Sequence, residues 1–311
     1  MSGARRVVVV HLMGGLGNQL FQYAFGRRLA VSNRGELHLD ASGYLKYGPE
    51  DNGRGVRACE LQYFNIAAKI LGRENARASM AGSIQRRFRK GAKLLRRLVE
   101  KRKPYFLRQE IVEPDANHFR FDPQACGRIF SGTIYVRGFW QSEKYFSDIE
   151  AQLRRELTWT TELKATEREL ATMISETTSV AIHVRRGDFA GLGAWHGILG
   201  REYYEAAVLA LTREAQNVHF FVFSDDAASA FALLGGISPC TFVSRHDAGS
   251  AHEDLRLIAL CRHHIIANST FSWWGAWLGN KDGQIVYAPR RYFQNVDRPN
   301  PDLYPDRWRL I

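Results

Sequence analysis

The chain has 311 residues, 45% apolar and 24% charged, the balance of a globular protein long enough for one large domain or two ordinary ones. No apolar run approaches the roughly 18 residues of a membrane span. Cys59, Cys126, Cys240 and Cys261 are too far apart for metal-ligand spacing, so reduced thiols in a cytoplasmic protein are the default. Net charge is +11, but ten Lys/Arg and one Glu fall in Ile84–Lys103, leaving 33 basic and 31 acidic residues elsewhere. One basic element rides on a nearly neutral body, whereas a nucleic-acid-wrapping protein spreads its charge over a face.

Val7–Leu12 reads as a first core strand; the apolar run is too short for a signal peptide. Met13–Gln19 is a glycine turn, and Phe21, Phe25 and Leu29 then share one face of a helix. Strand, glycine turn, helix is an arrangement that cradles phosphate on free backbone N–H groups. Gly15 and Gly17, with Asp40 ending the strand Glu36–Asp40, give part of a dinucleotide fingerprint, but position 20 is Leu where the third glycine belongs. A plain tight turn explains the same residues. Asn18 and Gln19 add side-chain amides able to hold a sugar hydroxyl.

Residues 41–57 read as loop and 60–66 as a short packing segment. Ser83 is placed to cap a helix carrying the basic run, with Ile84, Phe88, Leu94, Leu95 and Leu98 as its apolar positions. That helix is either a solvated cationic face or a contact for an anionic membrane surface. Ile134–Phe146 reads as strand, turn and helix start, with Trp140, Tyr145 and Phe146 as core or as a sugar-stacking wall. Glu150–Leu170 reads as one helix, and the domain boundary falls near residue 160, giving domains 1–160 and 161–311.

In the second half, Val180, Ala181, Ile182 and Val184 form a compact apolar run. It ends in His183, Arg185, Arg186, Gly187 and Asp188, a core strand opening into a loop. Ligands of open parallel sheets bind beyond the carboxyl ends of the strands, and two guanidiniums there offer planar forks for phosphate or carboxylate. A helix over 201–214 and a strand over Val218–Phe223 follow. Asp225 and Asp226 then either hold a cation or ribose or cap the helix Ala227–Leu234. Asp254–Cys261 reads as a helix and 264–267 as a strand. Asn268, Ser269 and Thr270 then form a turn whose hydroxyls and free N–H groups make an anion site at a helix start. Trp273, Trp274 and Trp277 read as core, and His263 and His264 as structural.

Four stretches, Gly14–Ala24, His183–Phe189, Phe223–Asp226 and Ala267–Leu278, come in an order that resembles the bacterial alpha-1,2-fucosyltransferases of glycosyltransferase family 11. The resemblance covers nearly the whole chain except Tyr44–Ala116; Phe189 stands where Tyr is commoner. It implies an α/β GT-B fold, two facing Rossmann-like domains with the donor site in the cleft. The domain 1–160 would lie on the acceptor side, and 161–311 would bind GDP-fucose. It also implies inverting transfer of L-fucose from GDP-β-L-fucose to the 2-hydroxyl of a galactose-terminated glycan. That acceptor would be a lipid-linked O-antigen or capsule unit on the inner membrane face, and no nucleic acid is implied.

The resemblance requires neither metal nor other cofactor, so charge developing on the β-phosphate must meet fixed positive groups. Arg185, on His183's side of the strand by two-residue alternation, is the first choice, worth ~3 kcal/mol in the transition state. Arg186, Asn268, Ser269, Thr270 and Phe271 would join it at the donor, with Asp225. Asp254 would accept hydrogen bonds from guanine, and His183 would contact the nucleoside. Gly15, Gly17, Asn18 and Gln19 would also bind the donor, with Asn18 and Gln19 facing fucose and acceptor. Asp188 would orient an arginine, and no carboxylate stands out as general base. A nicotinamide-dependent oxidoreductase using Gly15, Gly17 and Asp40, and a basic RNA- or membrane-binding module on 84–103, are the alternatives.

Overall fold

The computed structural model describes residues 5–45, 58–72, 108–115, 119–186, 197–243, 251–293 and 299–311. Ser83, the basic stretch Ile84–Lys103, and Gly187, Asp188 and Phe189 lie outside the described residues. The chain divides into two separately packed units, Met1–Thr158 and Trp159–Ile311. Each is a Rossmann-like α/β unit built on a parallel sheet.

In the first unit the elements are β1 (Val7–His11), α1 (Leu16–Ser32), β2 (Glu36–Asp40), β3 (Lys69–Leu71), β4 (Glu110–Val112), α2 (Pro123–Cys126), β5 (Thr133–Arg137) and α3 (Glu150–Glu156). The sheet order is β3-β2-β1-β5-β4, every pair parallel. Alternation along β1 and β2 buries Val8, Val10, Leu37 and Leu39 and leaves the intervening residues half-buried. Helix α1 covers that apolar face at glycine distance: a Cβ on Gly26 would lie 2.4 Å from Val10 Cγ2 and 2.9 Å from Leu37 Cδ1. Trp140, Tyr145 and Phe146 are core, at most 1% exposed. Trp140 stacks on Phe25 with ring centroids 4.3 Å apart, so these aromatics are not a sugar wall.

The single helix expected over Glu150–Leu170 is two, α3 and α4 (Ala165–Glu176), with a break between them. Thr158, Thr160 and Thr161 are poor helix formers. The segment also has other partners: Trp159 Nε1 donates to the His252 carbonyl at 3.0 Å, and the Thr161 carbonyl accepts from Arg256 at 2.7 Å. Glu156 closes the first unit by accepting from Arg27 at 2.8 Å and Tyr23 at 2.5 Å on α1.

In the second unit α4 leads into β6 (Thr178–Val184), α5 (Arg201–Glu214), β7 (Val218–Ser224), α6 (Ala227–Leu234) and β8 (Cys240–Val243). There follow α7 (Ala251–Leu260), β9 (His263–Ile265), α8 (Thr270–Gly279), β10 (Val286–Ala288) and β11 (Arg309–Leu310). The sheet order is β8-β7-β6-β9-β10-β11, all parallel. Strands β6 and β7 are apolar on both faces because both are covered. Val180, Ile182 and Val184 pack with Tyr204, Leu211 and Leu234, while Ala181 and Phe221 pack with Ile174, Leu257 and Ile258. The chain winds outward from β6 to β8, then returns to the other side of β6 with β9. The order therefore reverses between β6 and β9, where a ligand crevice opens beyond the strand ends.

Candidate functional site

Arg185 leaves β6 at that reversal. Its Nη1 lies 3.1 Å from Asp225 Oδ2, and the Arg186 backbone N–H donates to Asp225 Oδ1 at 2.8 Å. The carboxylate at the end of β7 thus holds the first two residues after β6. Asp225 was expected at the donor; in the fold it positions Arg185, the task the sequence assigned to Asp188. Asp226 caps α6, accepting from the Ser229 N–H at 3.0 Å.

His183 sits one turn of the pleat back, on the same side of β6. It is 4% exposed, its ring centroid lies 5.5 Å from that of Phe271, and its buried Nδ1 has no hydrogen bond among the described residues. Burial first, and then the charge of Arg185, pull its pKa down to about 3, so the imidazole is neutral at neutral pH.

Beyond β9, Ser269 is the N-cap of α8 and accepts from the Phe271 N–H at 3.3 Å. The Thr270 N–H is accepted by the Tyr292 hydroxyl. Two of the N–H groups expected to face an anion are therefore bonded within the turn and Tyr292. Asn268 is 1% exposed and donates to the carbonyls of Gly197 at 3.3 Å and Tyr292 at 2.9 Å. Its amide N–H groups tie the turn to two distant segments. Sequence reasoning missed Tyr292, which lies 22 residues beyond Thr270 and carries no local signal. Asp254 is in the first turn of α7. That helix connects β8 to β9, so its start lies at the same end of the sheet as Arg185 and Ser269.

In the first unit the turn between β1 and α1 centres on Gly14, with φ +80°. A Cβ there would lie 2.3 Å from Asn18 Nδ2. Gly14 is therefore the glycine the turn requires; Gly15 is the extended N-cap of α1, and Gly17 is buried inside the helix. Gln19 was expected to face substrate, but it is fully buried. It donates to the Ala58 carbonyl at 2.9 Å and accepts from the Glu60 N–H at 2.9 Å, pinning the 58–60 segment to α1. Asn18 stays half-buried, its Oδ1 accepting from Gln141 Nε2 at 2.7 Å. Asp40 bonds His11 and the Ser42 N–H, and Leu20, at the missing glycine position, is fully buried.

Among the described residues no three His, Cys, Asp or Glu side chains gather as metal ligands would, and no helix is long and apolar enough to cross a membrane.

The family model of glycosyl transferase family 11 matches residues 7–309. The alpha-1,2-colitosyltransferase of Escherichia coli is 32% identical over 98% of this chain and 99% of its own length. The O-antigen biosynthesis glycosyltransferase WbnK of Escherichia coli is 27% identical over 96% and 98%. The galactoside alpha-(1,2)-fucosyltransferase 1 of Rattus norvegicus is 26% identical over 56% and 50%. Among solved structures, an Arabidopsis thaliana FUT1 mutant in complex with GDP shares the fold, with TM-score 0.52 and 15% identity over 97% of this chain and 73% of that one. A match of this extent removes the oxidoreductase and the basic-module readings. The chain belongs to glycosyl transferase family 11.

Proposed function

We propose that this glycosyltransferase moves L-fucose from GDP-β-L-fucose to the 2-hydroxyl of a terminal galactoside, with inversion, in the building of a bacterial surface glycan. The observation that carries the reading is that Arg185 and the hydroxyl-rich start of α8 follow the carboxyl ends of the neighbouring strands β6 and β9, where the strand order reverses. A permanently charged fork braced by a carboxylate suits a diphosphate leaving group. The dipole of α8 adds to it. His183, neutral and with an unbonded Nδ1, suits a nucleoside contact better than a charged ring would. Asp254 at the start of α7 is the carboxylate proposed for guanine, and Asn18 the amide proposed for the sugar.

Metal-free leaving-group stabilisation is part of the proposal. Arg185→Ala should lower transfer by about 100-fold or more while the melting temperature stays within a few degrees. Near-normal turnover removes Arg185 from the mechanism. Thermal shifts with GDP, UDP and ADP in parallel test the base, and GDP alone should stabilise the chain.

A second donor is favoured by one observation, the full-length likeness to a colitosyltransferase. Colitose differs from fucose by lacking the 3-hydroxyl. A kcat/KM higher for GDP-colitose than for GDP-fucose, in side-by-side assays, replaces the first reading with this one.

A further inference from the structure

In the first unit the chain runs outward from β1 to β2 and β3, then returns on the other side of β1 with β4 and β5. The strand order therefore reverses between β1 and β5, and the ligand crevice of such a sheet lies beyond the carboxyl ends of those two strands. Two loops border it, the glycine turn that leads from β1 to Asn18 and residues 138–141 after β5. Gln22 ties them together, accepting from the Met13 N–H at 3.0 Å and donating to the Gly138 carbonyl at 3.1 Å. The second loop is held in a strained shape. Trp140 has φ +57°, an outlier for a bulky side chain. Both oxygens of Glu113 brace it, accepting from the Phe139 N–H at 2.6 Å and the Trp140 N–H at 3.2 Å. A Cβ on Gly138 would lie 2.4 Å from Cβ of Glu113, so glycine is what admits the brace. Strain of this kind persists where the surrounding structure enforces it, and here it sets the course of the next residue, Gln141.

Gln141 is 4% exposed. Its Nε2 crosses from one loop to the other, donating to Asn18 Oδ1 at 2.7 Å, while its Oε1 is buried without a hydrogen bond among the described residues. The buried glutamines of α1 differ, because Gln19 and Gln22 each use both ends of the amide. Exchanging oxygen and nitrogen in the Asn18 and Gln141 amides keeps their bond and leaves a donor unused instead of an acceptor. In either placement one polar atom of a buried amide has no partner, a state that native structures seldom leave without a use. A hydroxyl donates and accepts, so it completes the amide in both. Gly14, Asn18, Gly138 and Gln141 carry no charge, and the Glu113 carboxylate is committed to N–H groups. Such a lining suits an uncharged sugar rather than a phosphate, which calls for cations.

We propose that Gln141 holds a hydroxyl of the acceptor sugar and so sets which galactosides are accepted, a role that takes its substrate class from the function proposed above. The test compares the unaltered full chain with Gln141→Met. The acceptors are methyl β-galactoside and its analogues deoxygenated singly at the non-reacting hydroxyls, with donor and acceptor KM measured separately. In the unaltered chain one analogue should show an acceptor KM about 10-fold above the parent's. Gln141→Met should raise the parent's KM by about the same factor, leave donor KM unchanged and erase the penalty of that analogue alone. A purely structural role raises KM for parent and analogues alike and erases no single penalty, which overturns the proposal. So does a donor KM that moves while the acceptor KM does not. If Gln141→Met does not fold, Gln141→Glu replaces it; a carboxylate only accepts, so the same single penalty should change while the others stay. Saturation-transfer NMR with methyl β-galactoside, with and without GDP, separates this proposal from the donor reading. Galactoside binding that the variant weakens, in a chain that GDP does not stabilise, removes the donor reading alone. A GDP thermal shift with no galactoside binding in either condition overturns the role of Gln141 alone.

Discussion

Replacing Gly14 by Ala tests how tightly the turn before α1 is built. Gly14 has φ +80°, a conformation costing an alanine about 1–2 kcal/mol. The added methyl would also lie 2.3 Å from Asn18 Nδ2, so the Asn18 amide must leave its place. Leaving breaks its 2.7 Å hydrogen bond from Gln141, worth about 0.5–1.5 kcal/mol. The sum is about 2–3 kcal/mol, or roughly 5–10 °C in melting temperature for a unit of this size. Asn18→Ala alone removes that hydrogen bond and should cost about 1 kcal/mol. The double variant has no amide to displace, so it should be no less stable than Gly14→Ala. Thermal and urea unfolding of the four proteins complete the cycle, with a coupling of about 1 kcal/mol favouring the double variant. Strict additivity would refute the claim that the methyl and the amide compete for one space.

Gly275→Ala places a methyl 2.3 Å from Cγ2 of Ile258, a β-branched side chain with no exposure, where α8 crosses α7. Overpacking costs about 1–3 kcal/mol against a gain of up to about 1 kcal/mol in helix propensity, so the melting temperature should fall; an unchanged or higher value contradicts the close crossing. His183 and His264 both titrate near 3 in the folded chain, chiefly through burial. Unfolded histidine titrates near ~6.5, so below that pH the unfolded chain binds more protons and stability falls as pH drops toward 3. Glu156, whose pKa is lowered in the fold by its Arg27 and Tyr23 bonds despite burial, begins to add to the loss only below ~4.5. Urea midpoints should therefore decline already between pH 6.5 and 4.5, and a flat profile in that window means the imidazoles are not held neutral.

Much of the second unit was legible along the chain. The apolar run of β6, the strand β7, and the hydroxyl cap of α8 are local features, set by side-chain alternation and by a cap's need to satisfy free N–H groups. The sequence also showed that Arg185 leaves a core strand at its carboxyl end. What it could not show is where polar side chains spend their hydrogen bonds. Gln19 and Asn268 look like ligand contacts because an amide beside a turn can serve either purpose. Only the folded chain brings Ala58 and Glu60 to Gln19, and Gly197 and Tyr292 to Asn268.

The same reason separates the two carboxylates after β7 and pairs His11 with a residue 29 positions away. Asp226 bonds three residues along its own helix, so its capping role is written locally. Asp225 reaches back 39 residues to Arg186, a contact created only when β6 and β7 lie side by side. Short-range periodicity and turn chemistry thus determined which strands and helices form and which cations sit at their ends. Strand order and register decided which acid meets which base, because pairing across a sheet follows neighbours in space rather than in sequence.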